Sequence, residues 1–400
     1  MSWTPTLQSI FLTAGALVAT AGVTTHAGSH ETEGAKGHLI ISGGGLRGDN
    51  AEVFERMMEL VAGGKLGVVP TASANPESSG SSAVDRINQY SETDQAFYID
   101  IPRDDPEAAH NSERIAELDS AQGLFFTGGV QTRIVDIFRP EEGDTPAYEA
   151  VHRVLQRNGM IAGTSAGAAM MSDPMIQRGT SRAALARGAT HDEPADQGVS
   201  VGKGMGFYPY GITGQHFMTR GRMGRLIVAL ENAGLERGIG VEDNRAMHVN
   251  LNTDMIEGLG GHRALLAIDI SSLERGEGEW RNIRLSLLHS GDRINGLTHD
   301  LVPYQSRHPR PITTNEEATT PEEEDAWGRH AIPNVMVETI IDSAAYGLAW
   351  DPNYRLTFTP DSETKAWIGP DNDPRTLTIH RMRLDIEPRE EGAGPEVASE

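Results

Sequence analysis

Short apolar runs alternate with helical segments along the first 260 residues of the chain. The runs that predict strands are 38–42, 66–69, 96–101, 123–126, 160–162, 238–241 and 247–249. The segments that predict helices are 50–62, 106–120, 132–138 and 147–158. Strands that alternate with helices imply right-handed crossover connections. The pattern therefore predicts an α/β fold, in which a doubly wound and mostly parallel sheet carries helices on both faces.

The pattern is less regular beyond residue 260. Runs 264–270 and 282–288 predict further strands, 331–347 predicts a helix, and 376–386 alternates like an edge strand. Residues 303–325 are rich in Pro, Thr and Glu, which is typical of a linker or a long loop. The predicted organisation is a leader over 1–30, an α/β domain over 38–300, a linker over 301–326, a C-terminal extension of mixed strand and helix over 327–388, and a disordered tail over 389–400.

Four glycine-rich or polar turns follow predicted strands, and they begin at Gly43, Thr71, Thr127 and Gly163. In open α/β sheets, ligands bind beyond the carboxyl ends of the strands. We therefore expect the four turns to share one face of the sheet and to surround a site.

Composition excludes several classes of function. The 400 residues include 57 acidic and 34 basic side chains, for a net charge of -23. Such a surface disfavours nucleic acid and anionic membranes as partners. The chain has no cysteine, which excludes disulfides, thiolate metal sites and a cysteine nucleophile. A homodimer is one assembly compatible with the sequence.

The leader contains an apolar run over 10–23, which is too short for a stable membrane span. Small residues and a passable cleavage site, Thr24-Thr-His-Ala27, follow it, although the usual basic n-region of a signal peptide is missing. The leader predicts a signal peptide and a secreted or periplasmic protein. The alternative is an uncleaved leader on a cytoplasmic protein.

The most informative motif is Gly163-Thr-Ser-Ala-Gly167, which follows the predicted strand 160–162. It matches the G-x-S-x-G pattern of a nucleophile elbow, in which a serine lies on a tight turn between a strand and a helix. The backbone N–H of Ala166 and the positive end of the following helix could then bind an oxyanion. A small-residue turn packed for steric reasons alone explains the motif equally well.

Two other motifs do not support a cofactor or a metal. Gly43–Gly48 fits G-x-G-x-x-G, but the second strand ends at Pro70 without the acidic residue that a dinucleotide site needs. The segment 191–196 contains His, Asp and Glu without the helical spacing of a metal site. An exposed polar loop explains that segment better. We therefore predict no cofactor and no metal.

A serine nucleophile needs a base to accept its proton. Of the 14 histidines, His216 is the candidate that stands out, because several arginines follow it. It precedes Arg222 and Arg225, whose spacing puts two guanidinium groups on one helix face. Arginine forks bind carboxylates through two parallel hydrogen bonds. The residues alone fit an exposed, arginine-rich helix start at least as well.

Taken together, these stretches resemble the serine peptidase family S51, the family of cyanophycinase. Its fold is akin to that of class I glutamine amidotransferases, with serine in place of cysteine. The matching stretches are Gly43-Gly-Gly45, Val69-Pro-Thr-Ala-Ser73, Phe125-Phe-Thr-Gly-Gly129 with Gln131, Gly163-Thr-Ser-Ala-Gly-Ala168, Gln215-His-Phe217 with the arginines after it, and Gly238-Ile-Gly240 with Glu242-Asp-Asn244. They cover roughly residues 38 to 260 in order.

The resemblance implies that Ser165 is the nucleophile and His216 the general base. The triad acid of the family falls on Asp243, and Glu242 is the fallback because the two carboxylates are swapped relative to the family's order. Two further groups are implied: oxyanion donors at Gly129 and Ala166, and substrate contacts at Gln131, Gln215, Arg220, Arg222 and Arg225.

The implied substrate is cyanophycin, multi-L-arginyl-poly-L-aspartate, and the implied product is the β-aspartyl-arginine dipeptide, with no cofactor. One alternative is an S51 peptidase that acts on small aspartyl dipeptides. Another is a non-catalytic binding protein on the same scaffold. Gly214 and Val130 depart from the family, which usually has aspartate at both places, and this bears on the fine specificity.

Overall fold

The computed structural model describes Met1 and residues 37–190 and 196–389. The predicted leader, apart from Met1, and the predicted tail, apart from Arg389, lie outside these residues. Export and a disordered tail therefore stay predictions. Among the described residues, no helix is both long and apolar enough to cross a membrane.

The described residues contain 23 strands. In chain order they are β1 His38–Ser42, β2 Leu66–Val69, β3 Ala96–Tyr98, β4 Gly123–Phe126, β5 Met160–Thr164, β6 Met175–Gly179, β7 Ala189–Thr190, β8 Val199–Gly202, β9 Ile212–Gly214, β10 Arg237–Val241, β11 Ala246–Asn250, β12 Met255–Leu259, β13 Leu265–Asp269, β14 Glu274–Gly276, β15 Glu279–Leu288, β16 Arg293–Asn295, β17 Leu301–Val302, β18 His308–Arg310, β19 Glu322–Glu323, β20 Gly347–Trp350, β21 Tyr354–Thr359, β22 Lys365–Ile368 and β23 Thr378–Pro388.

The same residues contain nine α-helices. They are α1 Ala51–Val61, α2 Pro76–Asn88, α3 Ser112–Ser120, α4 Thr132–Phe138, α5 Pro146–Gln156, α6 Ala166–Ala169, α7 Ser181–Arg187, α8 Met223–Ala233 and α9 Ala331–Ile341. The predicted helix over 106–120 is divided into a 3₁₀ turn and α3. The division falls at Asn111, whose backbone is extended and therefore ends the 3₁₀ turn. The side-chain oxygen of Asn111 caps α3 by accepting from the amides of Glu113 and Arg114.

The first sheet has nine strands, in the order β17-β16-β12-β11-β1-β5-β4-β2-β3. The five strands from β1 to β3 in this order are parallel, and the other four are antiparallel, so the sheet is mixed. Side chains of β1 alternate between two cores: Leu39 and Ile41 pack with α3, α4 and α5, and Ile40 packs with α1 and α2. The α/β fold with helices on both faces is confirmed.

The register of the parallel strands brings their carboxyl ends together. Ser42 of β1 pairs with Thr164 of β5, and Phe126 of β4 pairs with Val69 of β2 and Gly163 of β5. The turns after these strands therefore leave the sheet at one edge, as the sequence predicted. This edge carries the candidate site.

The second sheet has 11 strands, and its main path runs β19-β20-β21-β23-β15-β13-β10-β9. The prediction that 376–386 is an edge strand is wrong, because β23 pairs with β15 on one side and with β21 and β22 on the other. Alternating hydrophobicity shows that one face of a strand is buried, but it does not reveal whether both edges are paired. β6, β8 and β7 form a third, smaller sheet.

Strands from both sides of residues 301–326 share the second sheet. β15 precedes this stretch and β23 follows it, and the two pair over much of their length. The stretch itself includes the short strands β17, β18 and β19. The described residues from 37 onward belong to one compact unit. The domain boundaries given above stay predictions.

Candidate active site

Ser165 lies between β5 and α6, at the carboxyl edge of the first sheet. Its φ is 55°, a left-handed conformation that is unusual for a residue other than glycine. The Ser165 N–H donates to the carbonyl of Ser42 at 3.1 Å, which ties the turn to the end of β1. The helix that follows has only four residues, so its dipole adds less than the sequence suggested.

His216 faces Ser165 across this edge. Its Nε2 lies 2.8 Å from the Ser165 Oγ, and the His216 N–H donates to the carbonyl of Gly43 at 2.7 Å. The turn after β1 also passes directly beneath the imidazole ring, where a Cβ on Gly44 would overlap the ring. The backbone of the glycine turn therefore fixes the position of the histidine.

Asp243 completes a hydrogen-bonded chain through the imidazole. Its Oδ1 accepts from Nδ1 of His216, which leaves Nε2 as the acceptor for the hydroxyl of Ser165. Asp243 follows β10 by two residues, and the next amide, that of Asn244, donates to the carbonyl of Gly44 at 2.7 Å. One turn thus holds both the histidine and the aspartate segment.

Glu242 points elsewhere and has a different set of contacts. It is 4% exposed, and its Oε2 accepts from the amides of Met218 at 2.6 Å and Thr219 at 2.9 Å. Its Oε1 accepts from the Thr219 hydroxyl. The fallback carboxylate therefore binds the backbone just after His216 and does not contact the imidazole.

Electrostatics favour a neutral imidazole in this position. Burial lowers the pKa of His216 below its usual 6.5, and Arg220 and Arg222 lower it further, whereas Asp243 raises it. The net direction is downward. A neutral histidine can accept a proton from a serine at neutral pH.

The two predicted oxyanion donors come from backbone near Ser165: Ala166 follows it directly, and Gly129 follows Gly128, where a Cβ would lie 3.4 Å from the Cβ of Ser165. Gly129 adopts a φ of 148°, and a Cβ there would overlap the carbonyl of Ala72, so only glycine fits this turn. The next amide, that of Val130, donates to the same carbonyl at 3.0 Å. In the described part of the chain, no hydrogen bond uses the N–H of Gly129 or of Ala166. Both are therefore available to an incoming oxygen.

The predicted arginines form a cationic cluster next to His216. Arg225 is buried, donates to the carbonyl of Gly179 at 3.1 Å, and has an Nε without a partner. Burial and, to a smaller extent, neighbouring Arg220 lower the pKa of Arg222 to about 10. Among the described residues, none of the three forms an ion pair with a carboxylate. The cluster therefore presents positive charge that a substrate carboxylate could neutralise.

The two predicted glutamines have different environments. Gln131 is buried, and its amide nitrogen donates to the carbonyls of Ile176 at 3.0 Å and Gln177 at 2.7 Å. The backbone carbonyl of Gln215 accepts from Arg222, and its side-chain oxygen is buried without a partner among the described residues. The Gln131 side chain therefore holds the backbone of β6 in place. The side-chain oxygen of Gln215 could accept a hydrogen bond from a substrate.

Comparisons with known proteins identify the family of this chain. The sequence profile described as "Peptidase family S51" matches residues 38–255, which is more than half of the chain. The chain belongs to peptidase family S51.

Cyanophycinases are among the relatives of this S51 chain. Those of Synechococcus elongatus and Geminocystis herdmanii are both 28% identical to it, over 286 and 279 residues. The first alignment covers 68% of this chain and 83% of the relative, and the second covers 65% and 94%. The crystal structure of a peptidase from an acI-B1 Actinobacterium has a TM-score of 0.45 at 17% identity, covering 68% of this chain and 95% of that one.

The S51 site also includes features that the sequence did not reveal. A cavity of about 70 Å³ adjoins the nucleophile, lined by Thr127, Gly128 and Thr164, with Arg86 of α2 also on its wall. The hydroxyls of both threonines are buried without a partner among the described residues. Helix α2 was not predicted, since its sequence is rich in serine and has few apolar positions.

No described group of three or more His, Asp or Glu side chains is arranged to hold a metal ion. Residues 191–195 of the segment 191–196, for which the sequence favours an exposed polar loop over a metal site, lie outside the described residues.

Proposed function

We propose that this S51 chain is a serine-type exopeptidase that hydrolyses cyanophycin to β-aspartyl-arginine dipeptides through an acyl-enzyme. The observation that carries the proposal is the hydrogen-bonded chain from Ser165 through His216 to Asp243. Three arginines lie next to it, and none of them forms an ion pair with a described carboxylate. The cyanophycinases among its relatives, at 28% identity, support the choice of substrate.

In the proposed reaction, the Ser165 Oγ attacks the carbonyl carbon of the main-chain amide between two aspartyl residues. The Nε2 of His216 takes the hydroxyl proton, and the N–H groups of Gly129 and Ala166 stabilise the negative oxygen of the tetrahedral intermediate. The protonated imidazole then gives its proton to the leaving amine as the C–N bond breaks. Water hydrolyses the ester by the same steps in reverse.

Asp243 keeps the proton of the neutral imidazole on Nδ1 and stabilises the imidazolium that forms during attack. Glu242 does not contact the imidazole in this proposal, and it acts as a positioning residue. By accepting from the amides of Met218 and Thr219, it holds the segment that follows His216. The lowered pKa of His216 supports its role as the base at neutral pH.

The charges of the substrate suit the site and the surface. Each repeat of cyanophycin carries a free arginyl carboxylate and a guanidinium group. The arginine cluster can bind the carboxylate, and the net charge of -23 attracts the guanidinium groups of the polymer.

Crowding by a neighbouring ring explains one departure from the family, the glycine at residue 214. A Cβ on Gly214 would lie 2.6 Å from the ring of Phe217, so the usual aspartate does not fit here. The other departure, Val130, is 41% exposed. We infer that the guanidinium end of the substrate is recognised elsewhere in this chain.

The deciding experiment is an assay of the purified protein on insoluble cyanophycin granules and on Asp-X dipeptides in parallel. We expect release of β-aspartyl-arginine from granules, and none by Ser165→Ala. Cleavage of the free dipeptides alone would transfer the assignment to the dipeptidase alternative. A serine-directed inhibitor should label Ser165. Activity that survives Ser165→Ala, without labelling, would rule out the triad.

A further inference from the structure

A cleft of about 780 Å³ borders Gly45 and Asp243, next to the proposed triad acid. Its volume is within the range of ligand pockets, about 300–1,000 Å³. Its lining is cationic although the chain as a whole has a net charge of -23. The cleft contains five arginines, Arg47, Arg245, Arg263, Arg329 and Arg375.

Neither of the two carboxylates in the lining forms an ion pair with these arginines among the described residues, although Glu242 lies 4.0 Å from Nε2 of His330 and its charge raises the pKa of Arg245. Asp243 accepts from His216, and Glu242 accepts from the backbone after it. Of the five arginines, Arg47 and Arg375 form ion pairs, with Asp49 and Asp373, two residues away in each case. Both are highly exposed, so these pairs are screened by solvent.

Arg245 and Arg263 are the central cations of the cleft. Burial lowers the pKa of each, and neither forms an ion pair with a carboxylate among the described residues. Arg245 donates to the carbonyl of Asn244 at 2.8 Å, and Arg263 donates to the Asn334 side chain at 2.7 Å. The charges of Glu242 and Glu338 offset the effect of burial on Arg245 and Arg263 only in part, since the net direction of both pKa values is downward. Partly buried cations without a paired carboxylate favour the binding of an anion.

The far wall of the cleft is the start of α9. Arg329, His330 and Asn334 line the cleft, and α9 has 11 residues with no acidic side chain in its first turn and no side-chain cap. The Nδ1 of His330 is buried without a hydrogen-bond partner in the described part of the chain. The positive end of the helix dipole therefore adds to the potential of the arginines.

We propose that this cleft is an accessory subsite for the carboxylates of a peptide polymer, which it holds while the chain is cleaved at Ser165. The proposal rests on the proposed function, because it assigns the cleft to units of the same substrate beyond the one at the triad. Residues 262–263, 329–334 and 375 all lie outside the region 38–255 that matches the family profile. The subsite therefore depends on the C-terminal part of this chain.

The first test measures binding and does not depend on catalysis. The probe is a short, fluorescently labelled oligo-L-aspartate, titrated into the wild-type protein and into the double variant Arg263→Gln/Arg329→Gln. Hydrogen bonds to charged groups contribute enough that losing two guanidinium groups should weaken binding by roughly tenfold or more. The matched control, Arg103→Gln/Arg293→Gln, removes two exposed charges from outside the cleft lining and should bind like the wild type.

A second variant guards against misfolding, because Arg263 is bonded to Asn334. Arg329 is exposed, so Arg329→Glu should fold normally and still weaken binding of the probe. Equal binding by wild type, double variant and Arg329→Glu would overturn the subsite. Single-stranded DNA of matched charge that competes as well as unlabelled oligo-L-aspartate would overturn the assignment to carboxylates, since it would indicate unspecific polyanion attraction.

The second test separates the subsite from the proposed function. If the protein degrades cyanophycin, the double variant should raise KM for the polymer roughly tenfold and leave hydrolysis of a single-repeat substrate unchanged. Equal changes for both substrates would overturn the subsite, although the proposed function would stand. If the protein does not degrade cyanophycin, the proposed function fails, and the oligo-L-aspartate titration still decides whether the cleft binds carboxylates.

Discussion

The backbone of Gly44 lies directly against the imidazole ring of His216 and leaves no room for a Cβ at residue 44. The same turn accepts the amide of His216 at the carbonyl of Gly43, and the amide of Asn244 at the carbonyl of Gly44, both at 2.7 Å. A turn that contributes no side chain to the proposed chemistry thus aligns the base with the segment that carries the acid.

Replacing Gly44 with alanine should therefore displace the imidazole. We expect Gly44→Ala to lower kcat by about 10²-fold or more, because misplacement by about 1 Å has that effect. A suitable control is Gly143→Ala, since Gly143 has a φ of 134°, close to the 121° of Gly44, and open space around it. The control should show similar backbone strain in thermal unfolding and nearly normal kcat. Equal loss of activity in the two variants would contradict the argument.

Substitutions of the two neighbouring carboxylates should have different effects, one on activity and the other on stability. Asp243→Asn disrupts the tautomer of His216, so we expect kcat to fall by about 10³- to 10⁴-fold with little change in unfolding. Glu242→Gln weakens bonds to the amides of Met218 and Thr219, and we expect a loss of about 1.5–3 kcal/mol in the free energy of unfolding, with kcat within about tenfold of wild type. Paired urea denaturation and kinetic assays measure both. The reverse pattern would make Glu242 the acid.

The sequence predicted the local parts of the fold well, and it singled out the turn that carries Ser165. The parallel strands β1, β2, β4 and β5 follow from apolar runs ended by turn residues, and the elbow at Ser165 follows from five consecutive residues. Helix α2 was missed because its buried positions are few, Gly80, Ala83 and Ile87, and it packs through a glycine against Tyr98. Periodicity detects amphipathic helices and overlooks helices of this kind.

Non-local contacts account for the rest. His216 and Ser165 are 51 residues apart, so only the resemblance to S51 peptidases paired them. Only the alignment with the family favoured Asp243 over Glu242, because the turn after β10 decides which of two adjacent carboxylates reaches the imidazole. Arg329 joins the cleft near Asp243 only through the packing of α9.

The activity should persist into mildly acidic solution. Burial lowers the pKa of His216 below 6.5, and Arg220 contributes to the lowering. Because the base must be neutral, kcat/KM should fall as the pH drops through this lowered pKa, and the acid limb of the profile should lie below pH 6.5. Arg220→Gln removes a neighbouring positive charge, so the pKa should rise and the limb should move to higher pH. Arg103→Gln is the control, and a limb that moves to lower pH would contradict this account.

The buried Arg225 should support substrate binding at the expense of stability. It has no carboxylate partner among the described residues, and burial lowers its pKa well below the usual value. We expect Arg225→Gln to raise KM for cyanophycin by about tenfold or more, while the melting temperature stays equal or rises. Arg153→Gln, which breaks a half-exposed pair with Asp119, should change neither by much. A lower melting temperature with unchanged KM would assign Arg225 a structural role.

Two buried histidines should make the fold sensitive to acid. Burial lowers the pKa of His248 and of His289 to about 3, from 6.5 in the unfolded chain. The unfolded state therefore binds more protons below pH 6.5, so their contribution to stability is complete above that pH and declines as the pH falls. Each of the two histidines should lower the free energy of unfolding by about 2 kcal/mol at about pH 5 relative to about pH 7.5. Urea denaturation at the two values measures the difference.

The histidine contribution can be isolated with one substitution. The Nε2 of His289 donates to the carbonyl of Leu377 at 3.0 Å, and its Nδ1 accepts from the amide of Arg263 at 3.1 Å. Glutamine offers a donor and an acceptor without a proton to gain. His289→Gln should therefore reduce the pH dependence of the unfolding free energy by about 2 kcal/mol between the two pH values, whatever its effect at neutral pH. His308→Gln, at an exposed position, should leave the dependence unchanged. A dependence that His289→Gln leaves intact would show that other groups cause the acid sensitivity.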